Sequence, residues 1–279
     1  MSAVRSALLL FSKFPRAGQT KTRLTVEREG ILSGEEAADL YEQMLLDVAE
    51  RAFLALSSLA NEAPAGSRSY DLIVSCSPQG DLAAMEELFR QNGPWPAPIQ
   101  FITDRGRNFD EHFYDAFRQL FSEGYDQVVA IGGDLPVMPI EHLTGAFAWL
   151  DRYAGSPTGC LVLAPCQESG VSVVGMTRQT PVDFTGIFYN LDGVPALDGL
   201  VDIAREKNVP LMMQDPVADV DDPQDLAHTI SLMRTLAYAA AFQSEVVVPK
   251  RTLAWVERQQ LRVVTPPNEN HDTREEIDA

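Results

Sequence analysis

The stretch "LLLFSKFPRAGQTKTRL", residues 8–24, runs from an apolar segment directly into a basic loop. Residues 8–11 lack the alternation of a half-exposed strand, which predicts a β-strand buried on both faces. No Asp or Glu precedes Glu27, and the loop contains four basic side chains: Lys13, Arg16, Lys21 and Arg23. The whole chain has 40 acidic and 22 basic residues and a net charge of −18. Positive charge is therefore concentrated where a buried strand of an acidic protein ends.

Length and charge limit the class of protein. The 279 residues suffice for one large domain or two small ones, and we expect a single domain over residues 1–264. Residues 265–279 are polar throughout, which predicts a disordered tail. The net charge of −18 disfavours nucleic acid and anionic membranes as partners, because both would repel the protein.

Three features favour a cytoplasmic protein. No stretch reaches the roughly 20 apolar residues that a membrane-spanning helix needs. The N-terminus lacks the longer apolar run and the small-residue cleavage site of a signal peptide. Cys76, Cys160 and Cys166 are odd in number and lack the spacing of metal ligands, so we expect reduced thiols.

Apolar segments alternate with amphipathic ones along the rest of the chain. We predict further strands at residues 71–76, 99–102, 127–131, 160–164, 171–176 and 210–213. We predict helices at residues 37–52, 81–91, 109–121, 141–150 and 197–207. This alternation predicts an α/β fold in which helices cover both faces of a mostly parallel sheet. The loop between the strands at 160–164 and 171–176 is too short for a crossover helix, so one of the two should be antiparallel. A helix-like segment near the end contains Trp255, which we expect to pack on the core.

Phosphate is the simplest explanation of the basic loop. Pro15 and Gly18 favour a tight turn whose backbone N–H groups can point inward. Lys21 and Arg23 supply charge and donors suited to phosphate oxygens, and as exposed charges they should contribute little to folding. The loop lacks the Walker pattern, so a P-loop ATPase is not expected. From composition alone, a solvated loop with scattered basic side chains explains these residues equally well.

Asp134 ends the segment QVVAIGGD, directly after a buried strand. The carboxyl end of a central strand faces the edge where ligands of such sheets bind. Gly132 and Gly133 would let a ligand approach the backbone closely. The alternative interpretation of Asp134 is a turn residue or a helix N-cap.

A second acidic segment, ADVDDPQDL, covers residues 218–226. Pro223 suits the first turn of a helix, so Asp222 is expected to be the N-cap. Asp219 and Asp221 then point the same way if the segment is extended. Together with Asp134 they could hold Mg²⁺ or Mn²⁺ by carboxylate oxygens, and without a cation the carboxylates should repel each other. The alternative is a capped, solvated acidic turn.

Four segments resemble motifs of a bacterial glycosyltransferase-like family whose members are often labelled selenodomain-associated transferases. Residues 13–24, KFPRAGQTKTRL, resemble the family's opening K-x-P-x-x-G-x-x-K-T-R-L. Residues 131–136, IGGDLP, resemble its I-G-S-D-C-P, and residues 219–226, DVDDPQDL, resemble its D-V-D-T-P-E-D-L. PKRT at 249–252 resembles its C-terminal P-R-T element. The match covers roughly residues 7–256, in the same order.

The resemblance implies a GT-A-type fold, the Rossmann-like sheet of nucleotide-diphospho-sugar transferases and nucleotidyltransferases. It implies a nucleotide lying across the edge of the sheet, with phosphates near the basic loop and a metal ion near the acidic positions. The candidate nucleotide-binding residues are Lys13, Pro15, Gly18, Lys21, Arg23, Gly132 and Gly133. The candidate metal ligands are Asp134, Asp221 and Asp219.

One segment departs from the family's pattern. The family usually has E-D-G-G-Y-Y where residues 167–172 read QESGVS, so Ser169 replaces a glycine and Val171 an aromatic residue. Further on, the segment Phe188-Tyr189-Asn190 stands where the family has a W-S-T-like segment. The resemblance implies that these positions and residues 167–172 line the acceptor side, so we expect an acceptor different from that of typical members. Glu168 is the candidate for orienting or deprotonating an acceptor hydroxyl.

The sequence therefore predicts a metal-dependent transferase that uses an NTP or an NDP-sugar and a small-molecule acceptor. Lys21 and Arg23 are the candidates for neutralising charge that develops on phosphate in the transition state. Glycosyl transfer and nucleotidyl transfer both stay open. The alternative is a nucleotide-binding protein of the same fold without turnover, because the acceptor segment is altered.

Overall fold

The computed structural model describes residues 3–264, and the predicted tail at 265–279 lies outside them. Its seven strands are β1 (Val4–Ser12), β2 (Arg68–Cys76), β3 (Ile99–Ile102), β4 (Gln127–Gly132), β5 (Leu161–Pro165), β6 (Val171–Thr177) and β7 (Leu211–Met213). Its helices are α1 (Gly34–Glu62), α2 (Leu82–Gln91), α3 (Phe109–Ser122), α4 (Ile140–Arg152), α5 (Ala196–Glu206), α6 (Pro223–Ala239) and α7 (Lys250–Arg258). The predicted α/β class is confirmed.

All seven strands belong to one sheet in the order β3-β2-β1-β4-β6-β5-β7. β1 pairs in parallel with β2 and β4, β2 with β3, and β5 with β7. β6 runs antiparallel to both β4 and β5, which confirms the prediction from the short β5–β6 loop. Phe11 of β1 lies opposite Gly132 of β4. The loops that follow these two strands therefore leave the sheet side by side.

Two hydrophobic cores cover the two faces of the sheet. Leu8 and Leu10 of β1 face the core built with α1, α2, α4, α6 and α7. Leu9 faces the core built with α3 and α5. All three leucines are fully buried. A continuous apolar run is thus explained by burial on both sides.

β1 and α1 are among the elements that extend further than the sequence predicts. β1 begins at Val4 rather than at residue 8. The strand can include the polar Ser6 because the buried Ser6 hydroxyl has a hydrogen-bond partner: its Oγ donates to Oε1 of Gln127 at 3.1 Å. α1 continues past residue 52 to Glu62, because Phe53 and Leu56 extend its buried face.

α7 is tied to the first face of the sheet through α1. Trp255 is fully buried, as predicted, and its Nε1 donates to Asp39 of α1 at 2.8 Å. Asp47 of α1 accepts hydrogen bonds from the Thr252 amide at 2.8 Å and from the Thr252 hydroxyl at 2.7 Å. Among residues 3–264, no helix combines the length and apolar character needed to cross a bilayer.

Candidate functional site

The basic loop leaves β1 as a compact turn. The Thr20 hydroxyl donates to the Arg16 carbonyl oxygen at 3.0 Å and accepts from the Arg16 N–H at 3.2 Å. Gly18 has a φ of 73°, a conformation that favours glycine. Lys21 also lies in the left-handed region, with a φ of 48°, at a cost of about 1 kcal/mol or more. The turn directs the Lys21 side chain back across the edge of the sheet.

Lys21 lies between two of the predicted metal ligands. Its Nζ is 2.5 Å from Oδ2 of Asp134 and 2.7 Å from Oδ1 of Asp221. The Lys21 side chain is only 8% exposed, so the expectation of an exposed charge is wrong for this residue. Arg23 matches that expectation at 62% exposure, and its Nη1 lies 3.4 Å from Oδ2 of Asp221. The expected repulsion between the carboxylates is relieved by a lysine of the chain itself.

The charges of this cluster shift the pKa values of its members. Burial alone would lower the pKa of Lys21, but Asp134 and Asp221 outweigh burial and raise it above its ordinary value. Burial acts to raise the pKa of Asp221, yet Lys21 overcomes this and leaves it below normal. For Asp219, burial first and then Asp134 and Asp221 raise the pKa to about 6. Three carboxylates share one buried ammonium, so the cluster has capacity for further positive charge.

Gly132 and Gly133 are crowded by side chains of the protein itself. A Cβ at Gly132 would lie 2.6 Å from Oδ1 of Asp134. A Cβ at Gly133 would lie 2.7 Å from Leu45 and 2.9 Å from the Tyr41 hydroxyl, both on α1. A side chain at either position would push against Asp134 or against side chains of α1. The presence of these two glycines therefore has an explanation besides the close approach of a ligand.

The first turn of α6 positions Asp221. Asp222 is the N-cap, as predicted, and accepts from the amides of Gln224 and Asp225 at 2.7 and 3.0 Å. The Asp225 carboxylate reaches back and accepts from the amides of Asp221 and Asp222, both at 3.1 Å. Pro223 begins the helix, also as predicted. The Asp221 backbone is thus fixed by the helix that follows it.

Gln167 fixes the same acidic segment from the opposite side. Its Oε1 accepts from the Asp219 amide at 3.2 Å, and its Nε2 donates to the Asp225 carboxylate at 2.9 Å. Sequence reasoning assigned residues 167–172 to the acceptor side and missed this supporting role. No local pattern reveals it, because Asp219 lies 52 residues further along the chain.

The charge cluster forms part of a cavity of about 410 Å³ at the carboxyl edge of the sheet. Most of the predicted site residues line it: Lys13, Lys21, Arg23, Gly132, Gly133, Asp134, Asp219 and Asp221. Pro15 and Gly18 shape the loop but do not line the cavity. Glu168 does not line it either: the residue is exposed, on a short turn with a φ of 54°.

Six aromatic side chains also line the cavity: Phe11, Tyr41, Phe109, Phe113, Phe188 and Tyr189. The resemblance assigned Phe188 and Tyr189 to the acceptor side, whereas the sequence did not assign the other four to the site. Phe113 belongs to the helix predicted at residues 109–121. Helical spacing cannot separate core positions from cavity positions, because both are apolar. Val171, at the position where the resembling family has an aromatic residue, also lines the cavity.

The two carboxylates fit a cation, since oxygens of Asp134 and Asp221 converge on one ammonium nitrogen at 2.5 and 2.7 Å. Asp219 lies close enough for Asp134 and Asp221 to shift its pKa. In the described part of the chain, no three His, Cys, Asp or Glu side chains are grouped as a ready-made metal site. A divalent ion at this point would replace the Lys21 ammonium.

Comparison with protein families gives one match. Residues 61–191, just under half of the chain, match a family described as uncharacterized proteins conserved in bacteria (DUF2064). The matched residues include Asp134 and residues 167–172, which differ from the pattern of the resembling family. They do not include the basic loop, Asp219 or Asp221. A search of curated proteins finds no match.

Solved structures share the fold over nearly the whole chain. A protein of Desulfovibrio desulfuricans G20, provisionally described as a nucleotide-diphospho-sugar transferase, is 21% identical with a TM-score of 0.69, covering 93% of this chain and 96% of its own. A 4-diphosphocytidyl-2C-methyl-D-erythritol synthase of Anaerococcus prevotii DSM 20548 is 8% identical with a TM-score of 0.50, covering 83% of this chain and 96% of its own. At these identities the likeness establishes the fold. The chain thus shares the α/β fold of these two proteins.

Proposed function

We propose that this protein is a metal-dependent transferase acting on an NTP or an NDP-sugar. The observation that carries the proposal is the convergence of Asp134, Asp221 and Lys21 on one point of the cavity, within 2.7 Å. Excess carboxylate charge beside a basic loop suits a ligand that is itself a cation–polyphosphate complex. Two structural neighbours are in keeping with this: one is provisionally described as a nucleotide-diphospho-sugar transferase, and the other as a 4-diphosphocytidyl-2C-methyl-D-erythritol synthase.

The residues have separate tasks in this proposal. Asp134 and Asp221, with Asp219 beside them, would hold Mg²⁺ or Mn²⁺, which would supply charge stabilisation to the reacting phosphates. Lys13, Lys21 and Arg23 would bind phosphate oxygens and neutralise the charge that develops as the leaving group departs. The acceptor would be a small molecule entering from the remaining side of the cavity.

A nucleotide-binding protein without turnover is the second candidate, and one observation favours it. Glu168, the residue proposed to activate the acceptor, is exposed and does not line the cavity. Catalysis through Glu168 would require its turn to move. Product formation, rather than ligand binding, separates the two candidates.

The experiment is a thermal-shift screen of NTPs and NDP-sugars, each with and without Mg²⁺ or Mn²⁺. A ligand at 100 times its Kd should add about 2.7 kcal/mol to the free energy of unfolding. For each stabilising ligand, release of pyrophosphate would indicate nucleotidyl transfer, and release of a nucleoside diphosphate would indicate glycosyl transfer. If no nucleotide stabilises the protein with either metal, the proposed function is wrong.

A further inference from the structure

Five side chains form an apolar surface on one side of the cavity, which we call the aromatic wall: Phe11, Phe109, Phe113, Phe188 and Tyr189. Phe109 is its centre. The ring centroids of Phe11, Phe188 and Tyr189 lie 5.5, 5.1 and 5.6 Å from that of Phe109. These are the edge-to-face contacts that aromatic pairs prefer.

The aromatic wall and the charge cluster belong to opposite faces of the sheet. Phe11, Phe109 and Phe188 pack against the core beneath α3 and α5. Tyr41, whose ring lies 5.9 Å from the Lys21 ammonium, belongs to the core beneath α1. The cavity therefore straddles the sheet edge, with charge on one side and aromatic surface on the other.

The wall continues onto the protein surface. Tyr189 is 73% exposed, and the neighbouring Leu191 is fully exposed. Tyr189 lines the cavity, and an exposed apolar side chain that borders a cavity is typical of a binding surface.

A buried carboxylate holds the wall in place. Asp110, at the start of α3 and 3% exposed, accepts from the backbone amides of Ile187 and Phe188 at 3.1 and 3.2 Å. These charge-assisted bonds fix the segment that presents Phe188 and Tyr189. Asp110 is thus a positioning residue for the wall, and such support is typical of preorganised sites.

The chemistry of the wall suits a ring rather than a nucleobase edge. Among its five side chains only Tyr189 has a polar group. Polar side chains line an adjacent cavity of about 250 Å³, which shares Lys13, Gln19 and Thr20 with the first and adds Ser77, Asp81 and His112. His112 is oriented there by the buried Asp104 carboxylate, 2.6 Å from its Nδ1. The polar groups of a nucleoside would find hydrogen-bond partners in this second cavity. The aromatic wall is then available to the other substrate.

We propose that the aromatic wall binds the acceptor, and that this acceptor has a flat ring or similarly apolar body with its reacting oxygen toward the Asp134–Lys21–Asp221 cluster. This inference rests on the proposed function, because it assigns the second substrate of that reaction. α3 and the segment after β6 supply aromatic side chains to the cavity, although Val171 stands where the family has an aromatic residue.

The test compares two phosphate monoesters, 1-naphthyl phosphate, which has an aromatic ring system, and methyl phosphate, which has none. Each is titrated into the protein by calorimetry. Wild-type protein should bind the naphthyl probe at least about tenfold more tightly, the gain expected from stacking. The Phe188→Ser/Tyr189→Ser variant should lose this preference and keep its affinity for methyl phosphate. The matched control is Tyr238→Ser/Phe242→Ser, which removes two side chains, each 74% exposed, from the last turn of α6 and the segment after it. This variant should keep the preference.

Nucleotide binding provides the second arm. With Mg²⁺ present, the Phe188→Ser/Tyr189→Ser variant should bind NTPs within about twofold of wild type, because the wall does not hold the nucleotide. Parallel loss of naphthyl phosphate and NTP binding would assign the wall to the nucleobase and overturn the inference. Equal wild-type affinity for the two phosphate probes would overturn it as well. Failure of the proposed function is seen separately, as absence of NTP binding by the wild type.

Asp110→Asn tests the positioning role. Asn keeps the shape but replaces one acceptor oxygen with a donor, so one of the two amides loses its partner. The ratio of naphthyl to methyl phosphate affinity should fall several-fold when measured well below the Tm. A lower Tm with an unchanged ratio would show a purely structural role and contradict the assignment.

Discussion

Lys21 acts as the internal counter-ion of the site. Its ammonium pairs with Asp134 and Asp221 although its side chain is 8% exposed. An ion pair in this environment costs desolvation, and removing one partner leaves the other charges uncompensated. The three side chains therefore form one electrostatic unit, and a change at any of them alters the other two.

Replacing Lys21 with Met tests this unit. Lys21→Met keeps most of the stem and removes the charge, so Asp134 and Asp221 face each other without a cation. We expect the free energy of unfolding to fall by about 1–3 kcal/mol without metal. Added Mg²⁺ should recover much of this loss and should raise the Tm of the variant more than that of wild type. Chemical denaturation with and without Mg²⁺ measures both effects.

Arg23→Met is the matched control for this prediction. Arg23 is 62% exposed and lies 3.4 Å from Asp221, so its loss should change stability by no more than about 0.5 kcal/mol. Equal stability of Lys21→Met and wild type, or a Mg²⁺ response no larger than that of wild type, would contradict the role of Lys21 as counter-ion.

The candidate residues could be named from the sequence, whereas their contacts could not. Asp134 follows a recognisable buried strand, and Lys21 belongs to a basic loop in an acidic chain. The two residues are 113 positions apart, and the left-handed turn at Lys21 leaves no mark in the sequence. Its burial, and the relief of carboxylate repulsion that follows, depend on this tertiary contact.

The N-terminus of α6 positions the acidic segment and stabilises the protein separately from any metal. Asp222→Ala removes the N-cap and should cost about 1 kcal/mol of stability. Asp225 would still accept from the Asp221 amide, so the magnesium dependence of nucleotide binding should persist. Ser33→Ala, which removes the cap of α1, is the control with a similar stability cost. If Asp222→Ala abolishes magnesium dependence, Asp222 rather than Asp221 is the essential acid.

Trp255 is the largest fully buried side chain of α7. Trp255→Ala should lower the free energy of unfolding by about 3–5 kcal/mol, the usual cost of emptying a large aromatic site in a core. Phe242→Ala is the control, because Phe242 is 74% exposed. Its replacement should change the free energy of unfolding by less than about 0.5 kcal/mol. Urea denaturation of the two variants compares them. A Trp255→Ala protein as stable as the control would show that α7 is dispensable for folding.

Across the whole molecule, the sequence predicted the strands and the fold class better than the cavity. β1 and β4 are continuous apolar runs between turn residues, so their existence follows from pattern alone. The strand order and the meeting of two faces at one edge depend on packing between distant segments. Part of the aromatic wall escaped prediction for this reason: Phe11, Phe109 and Phe113 are apolar residues whose position at a cavity only the assembled sheet determines. The resemblance had assigned Phe188 and Tyr189 to the acceptor side.

The most direct test of the account is a magnesium titration of nucleotide affinity in wild type, Asp134→Asn and Asp215→Asn. The nucleotide is the NTP that gives the largest thermal shift, and Asp215 is an exposed carboxylate outside the cavity lining. Wild type and Asp215→Asn should bind the nucleotide at least about tenfold more tightly with Mg²⁺, a difference of ~1.4 kcal/mol. Asp134→Asn should lose this dependence, because one of the two converging carboxylates is gone. An Asp134→Asn protein with wild-type magnesium dependence would contradict the assignment of the site.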